Sequence, residues 1–333
     1  MRFWLVFSLV LCLAPPLAAG VADQASPVAS PPSGGAADNR TEAVLVPYEE
    51  IQMLRQCFHD VVYQRTIERL TARKKQLGAS NAARVIDAKI QRLDTGNAEY
   101  IAQCSQDILR LAQKAQIDMR KILYFLYIDR NRNRQLALVG FFDPSTRTVS
   151  PVGLDLISSG DMDKGKDHYL TPEGVFENRV ENFGYRALGT PNQDGWMGLG
   201  AKGSRVWDFG FQPGLRIYRG GPSLAQMRLL VHATDPVQGE SRLGRRDSKG
   251  CVRISAGLNE FLDRWAILDG NYEQWVRLKG RTWLLRQDRT PVLEPGRYLF
   301  IGDSSESGQP PVPGSTGMNA AKQGAERAAN ALN

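Results

Sequence analysis

The apolar residues of this chain change their spacing once, near Met119, and that change limits the folds open to it. Before it they recur every three or four residues: Ile51, Leu54, Phe58 and Val61 with Leu70 and Leu77, then Val85, Ile86, Ile90 and Leu93, then Ile101, Cys104, Ile108, Leu111 and Ala115. That spacing puts one apolar stripe on a helix. Gly78 and Gly96 interrupt it and Ser80 is placed to cap the second segment, so three helices are predicted over residues 47–119, as a small hairpin or bundle. Beyond Met119 the period falls to two. Residues 124–128 and 136–142 flank the polar turn 131–134 and predict a β-hairpin; short apolar runs at 229–231, 252–254, 283–285 and 298–301 continue the pattern, with one helix near 258–268. The expected fold class is α+β, a mostly-β domain over residues 120–302 preceded by the helical domain over 47–119.

The two ends read differently. Arg2 precedes residues 3–13, which are apolar apart from Ser8, and Pro15 and Pro16 stop the run well short of the ~20 residues a spanning helix needs. Gly20-Val21-Ala22 then offers a small-residue cleavage site, so residues 1–22 read as a secretory signal peptide and the mature protein as residing in the periplasm or cell wall, without stable membrane insertion. Residues 23–46, rich in Ala, Ser, Pro and Gly, read as a flexible linker, and 303–333 as a disordered tail. The balance of 42 Lys+Arg against 35 Asp+Glu gives +7, which suits an anionic partner. No recognition motif accompanies the charge, so nucleic acid is not expected.

Three histidines and four cysteines, with no CxxC pair and no HExxH, argue against a zinc site; neither metal nor cofactor is expected. Removing the leader removes Cys12 and leaves Cys57, Cys104 and Cys251, an odd count for an oxidising compartment. Cys104 lies on the stripe of the third helix and Cys57 beside Phe58 on the first. If those helices pack together the two thiols meet, and a Cys57–Cys104 disulfide is expected. His59 and His168 read as surface or packing residues.

The chemistry concentrates in residues 229–254. His232 ends an apolar run, and Cys251 opens another directly after Ser248-Lys249-Gly250. A thiol is a weak nucleophile until it becomes a thiolate, and an imidazole nearby supplies the base. Gly250 permits close backbone approach, and the N–H groups of Gly250 and Cys251 suit a developing oxyanion. The spacing is equally that of a buried cysteine starting one strand and a hydrogen-bonded histidine ending another.

His232-Ala233 and Ser248-Lys249-Gly250-Cys251-Val252-Arg253 resemble the signature of L,D-transpeptidase catalytic domains, the YkuD family. Thr171-Pro172-Glu173-Gly174-Val175-Phe176 resembles that family's upstream Thr-Pro-x-Gly-x-Phe strand, and Leu243-Gly244 also fits. The resemblance covers roughly residues 120–302. It implies a cysteine enzyme that acylates itself on peptidoglycan stem peptides through a thioester and passes the acyl group to an amine, cross-linking or modifying the wall. With water as acceptor the same site would be an L,D-carboxypeptidase or a hydrolase releasing a wall-linked protein. By the same resemblance Cys251 is the nucleophile, His232 the base, the Ala233 carbonyl the third member, and Gly250 with Cys251 the oxyanion donors. Ser248 and Arg253 would serve the turn and the substrate. Lys249 stands where many members have histidine, and its ammonium would lower the thiol pKa or hold a carboxylate. Arg246, with Arg242 and Arg245, either holds stem carboxylates or forms a solvated basic loop. Segment 177–228 is either a lid or extra substrate wall, or a set of core aromatics. The helical segment has no counterpart in the family and offers a surface for a protein partner.

Overall fold

Helices and strands separate where the sequence changes period. The structure, a computed structural model, describes residues 48–121, 124–144 and 146–304; the leader, the linker and nearly all of the tail inferred from sequence lie outside them. Helix α1 (Tyr48–Phe58) runs through a π-helical turn (His59–Tyr63) into α2 (Gln64–Leu77). Ser80 caps α3 (Asn81–Gln91) by accepting the Ala83 N–H, and Asn97 caps α4 (Ala98–Lys114) by accepting the Tyr100 N–H. Each cap satisfies a backbone donor that the helix itself leaves open.

Ten strands follow among the described residues: β1 (Tyr124–Asp129), β2 (Leu136–Asp143), β3 (Thr148–Leu156), β4 (Tyr169–Leu170), β5 (Gly174–Glu177), β6 (Tyr185–Arg186), β7 (Arg205–Tyr218), β8 (Gly221–Ala233), β9 (Val252–Ile254) and β10 (Tyr298–Gly302). Helices α5 (Ala256–Arg264) and α6 (Gly270–Lys279) sit between the last two. The first sheet has the order β3-β2-β1-β10-β5, with β1 and β10 parallel. The second has the order β4-β7-β8-β9, with β6 also on β7 and β8 parallel to β9. The fold is α+β. Among the described residues no helix is long and apolar enough to cross a membrane.

Alternation along β1 divides the core. Tyr124, Leu126 and Ile128 join Trp207, Val231, Val252 and Phe261 in a core shared by the inner faces of both sheets, while Phe125 and Tyr127 face a second core beneath α4. The helices complete both. Leu54, Phe58 and Val62 fill the first core, whereas Leu70, Ile86, Cys104 and Ile108 fill the second. The boundary at residue 119 is therefore a change of secondary structure within continuous packing.

This arrangement corrects the expected disulfide. Cys57 packs against the first core and Cys104 is buried in the second, on the opposite face of the first sheet, so the Cys57–Cys104 bridge is not formed and Cys104 is a reduced thiol. Helices with similar stripes do pack on a common partner, but here the partner is a sheet with two faces. Two further expectations change. Residues 283–285 make no strand; Leu284 and Leu285 are apolar because they bury against Tyr272 of α6. Segment 177–228 is dominated by the β7–β8 hairpin, whose strands of 14 and 13 residues pair from Val206–His232 out to the turn at Tyr218–Gly221.

Candidate active site

Strands β8 and β9 run parallel with His232 opposite Arg253 and Val231 opposite Val252. Val231 and Val252 point into the shared core, so His232, Arg253 and Cys251, two residues before Arg253, lie on the other face. Adjacent strands are about 4.8 Å apart, so His232 directly faces Arg253, and Cys251 lies two residues along the same surface. On that face Cys251 packs with Tyr185, Leu199 and Leu230 over a small cluster that includes Ala187 and Val206.

His232 is 5% exposed, and its Nδ1 lies 2.7 Å from the Ala233 carbonyl. A carbonyl only accepts, so Nδ1 carries the proton and the lone pair sits on Nε2. Burial pushes the imidazole down to about 4; the Ala233 carbonyl opposes this and the Arg253 guanidinium adds to it. The half-buried Cys251 thiol is pushed up by burial, against the Leu230 backbone and Arg253, with the Asp208 carboxylate adding to the rise. Its Sγ–H donates to the Arg228 carbonyl at 3.5 Å. With the imidazole lowered and the thiol raised, the resting pair at neutral pH is a thiol and a neutral imidazole, the state in which His232 is ready to accept a proton.

The turn before Cys251 is held from three sides. The buried Ser248 hydroxyl accepts the Gly250 N–H at 3.0 Å and donates to the Cys251 carbonyl at 2.5 Å. Gly250 has φ +135°, and a Cβ there would come within 2.8 Å of the Met227 side chain. Thr171, fully buried, donates its hydroxyl to the Gly250 carbonyl at 2.8 Å and accepts the Gly160 N–H at 2.7 Å. The Tyr169 N–H donates to the Lys249 carbonyl, and the Asp161 N–H to the Ser248 carbonyl.

Asp247, buried one residue upstream, joins three cations: Lys164, Arg242 with Nε–Oδ2 at 2.8 Å, and Arg253 with Nη1–Oδ2 at 3.6 Å. The Arg242 guanidinium also lies 5.0 Å over the Trp196 ring. Arg228, half exposed beside the thiol, pairs with the buried Asp208.

Several sequence assignments change on this geometry. The Gly250 N–H is spent on Ser248 and does not serve as an oxyanion donor. The Ser248 hydroxyl is likewise consumed inside the turn rather than facing a substrate. Arg246 donates from Nε and Nη2 to the Arg130 carbonyl at 3.2 and 3.0 Å and approaches Asp303, so it braces the fold rather than holding a substrate carboxylate. Lys249 is exposed; the cation that bears on the thiol is Arg253, whereas Lys249 bears on His168. Asp247 and Arg228 were not singled out from sequence. Asp247 adjoins the Ser248 motif, but nothing in its spacing announces a buried carboxylate shared by three cations. No protein-family model and no curated protein matches this chain.

Proposed function

We propose that the protein is a cysteine L,D-transpeptidase acting on peptidoglycan stem peptides in the periplasm or cell wall. The observation that carries this reading is the placement of Cys251 and His232 on one face of the parallel β8–β9 pair, with His232 Nδ1 anchored on the Ala233 carbonyl. The resemblance of residues 171–176 and 248–253 to the YkuD family names the substrate class.

In this mechanism His232 Nε2 takes the thiol proton as Sγ bonds to the carbonyl carbon of a stem peptide bond. The oxyanion is assigned to the Cys251 N–H, since that of Gly250 is engaged. The C–N bond breaks, the leaving amine takes the proton back from the imidazolium, and a thioester remains on Cys251. An acceptor amine then attacks the thioester and restores the thiol. A base whose pKa lies near 4 is a weak proton acceptor, which favours transfer in step with attack over a preformed ion pair.

The test is incubation of the mature protein with purified muropeptides and mass analysis of the products. Cross-linked dimers or amine-exchanged stems are expected with the parent and none with Cys251→Ala. Shortened monomers alone would make the enzyme a hydrolase, and unchanged muropeptides would overturn the reading.

A further inference from the structure

The α2–α3 pair, which has no counterpart in the catalytic domain that the chain resembles, closes on the segment joining His232 to Cys251. Arg69 of α2 pairs with Glu240, whose other oxygen accepts the Ala256 N–H at the start of α5. From α3, Lys89 donates to the Leu243 carbonyl and to the Ser241 carbonyl at 3.4 Å, and Arg92 donates to the Gly244 carbonyl at 3.4 Å. Arg242 lies between the two carbonyls that Lys89 holds, and its side chain binds Asp247, which in turn pairs with Arg253 beside the thiol.

We propose that Lys89 is a positioning residue: its ammonium fixes the backbone on both sides of Arg242, and through Arg242 and Asp247 it sets how strongly Arg253 favours the Cys251 thiolate. This rests on Cys251 being the nucleophile of the reading above, and not on the identity of its substrate.

The energetics point the same way. Lys89 is 5% exposed and, among the described residues, pairs with no carboxylate. Burial pushes its ammonium down to about 8, and Arg92, Arg245 and Arg69 push in the same direction. A buried cation among guanidinium groups is costly, and an apolar side chain in its place relieves that cost but leaves the buried Leu243 carbonyl without its donor. The two effects oppose each other, so fold stability alone gives little net reason for a lysine there. The Arg242 chain does. Without Lys89, Arg242 loosens its hold on Asp247, the carboxylate draws Arg253 more strongly, and the thiolate loses part of its nearby cation.

The experiment measures iodoacetamide alkylation of Cys251 against pH, read by intact mass and peptide mapping, for the parent, Lys89→Met, Lys89→Arg and Arg242→Gln. Lys89→Met is expected to change the melting temperature little yet to shift the alkylation profile upward by about half to one pH unit, a fall of ~3- to 10-fold in rate near neutral pH. Lys89→Arg restores most of the rate, and Lys89→Met adds nothing in an Arg242→Gln background. A profile for folded Lys89→Met that superimposes on the parent overturns the proposal, as does an undiminished effect in the Arg242→Gln background. If Lys89→Met fails to fold, the Lys89→Gln profile against the parent decides in the same way. Because the probe is a small electrophile, the outcome stands whether or not muropeptides are turned over.

Discussion

The Thr171 hydroxyl donates to the Gly250 carbonyl at 2.8 Å, tying the stretch between β4 and β5 to the residue before Cys251. The same oxygen accepts the Gly160 N–H at 2.7 Å, so one buried side chain joins three segments. Replacing Thr171 by Val keeps the volume and removes both bonds, leaving a donor and an acceptor buried. The expected cost is about 1–3 kcal/mol, seen as a lower denaturation midpoint, together with a slower acylation of Cys251. An unchanged midpoint would show that these bonds are replaced by others.

Cys251→Ala should abolish acylation and leave folding intact, since the half-buried thiol contributes reactivity more than packing. Incubation with a carbapenem, whose strained carbonyl suits a thiol nucleophile, should add one drug mass to the parent, mapped to Cys251. The adduct should be missing from the Ala variant while its melting curve overlays that of the parent.

Cys104 should appear as an unbridged residue in peptides mapped without reduction. Burial pushes this thiol up to about 12, so alkylating reagents should reach it only after unfolding. Recovery of a Cys57–Cys104 peptide pair would contradict the placement of α1 and α4 on opposite faces of the first sheet.

Acylation of the parent should be lost as pH falls through about 4, where His232 gains a proton and ceases to be a base. It should still be rising above pH ~8.5, the ordinary thiol value, because burial holds the Cys251 pKa higher. His232→Ala should slow it by roughly 10²–10⁴, the usual contribution of a positioned base. A parent profile already flat near neutral pH would mean that a thiolate–imidazolium pair forms at rest.

The same shift has a sign in stability. The folded pKa of His232, about 4, lies below its ordinary value of 6.5, so between the two the unfolded chain holds a proton that the folded one does not. Stability from this group is complete above about 6.5 and is lost as pH falls toward 4, by about 3 kcal/mol in all. Denaturation of the parent and of His232→Gln across that range should therefore converge toward acid pH; parallel curves would contradict the buried neutral state.

Much of this fold was legible because periodicity reports burial directly. The stripe carrying Cys104, Ile108 and Leu111 is the buried face of α4, and the alternation in residues 124–128 is the division between the two cores. What the stripe could not tell was which surface it would meet, and so the Cys57–Cys104 pairing failed. The 177–228 segment was obscure for a different reason. The outer half of the β7–β8 hairpin exposes Phe211 and Leu224, so its apolar residues do not mark a buried face. At the site, the motif around Cys251 marked the residues, but hydrogen bonding assigned their work: Ser248 and Gly250 satisfy each other, and Arg246 is consumed by Arg130.

The placement of β10 sets an order on how the protein comes into being. This strand is made of nearly the last described residues of the chain, yet it lies between β1 and β5 inside the first sheet. Thr171 lies between β4, which pairs with β7 of the second sheet, and β5, whose neighbour in the first sheet is β10. A nascent chain therefore holds His232 and Cys251 in sequence before the first sheet can close on β5 and fix the stretch that carries Thr171 from both ends. The last described strand acts as the latch of that sheet, and reactivity at the thiol should arrive late, with the whole fold, rather than accumulate as the polypeptide emerges.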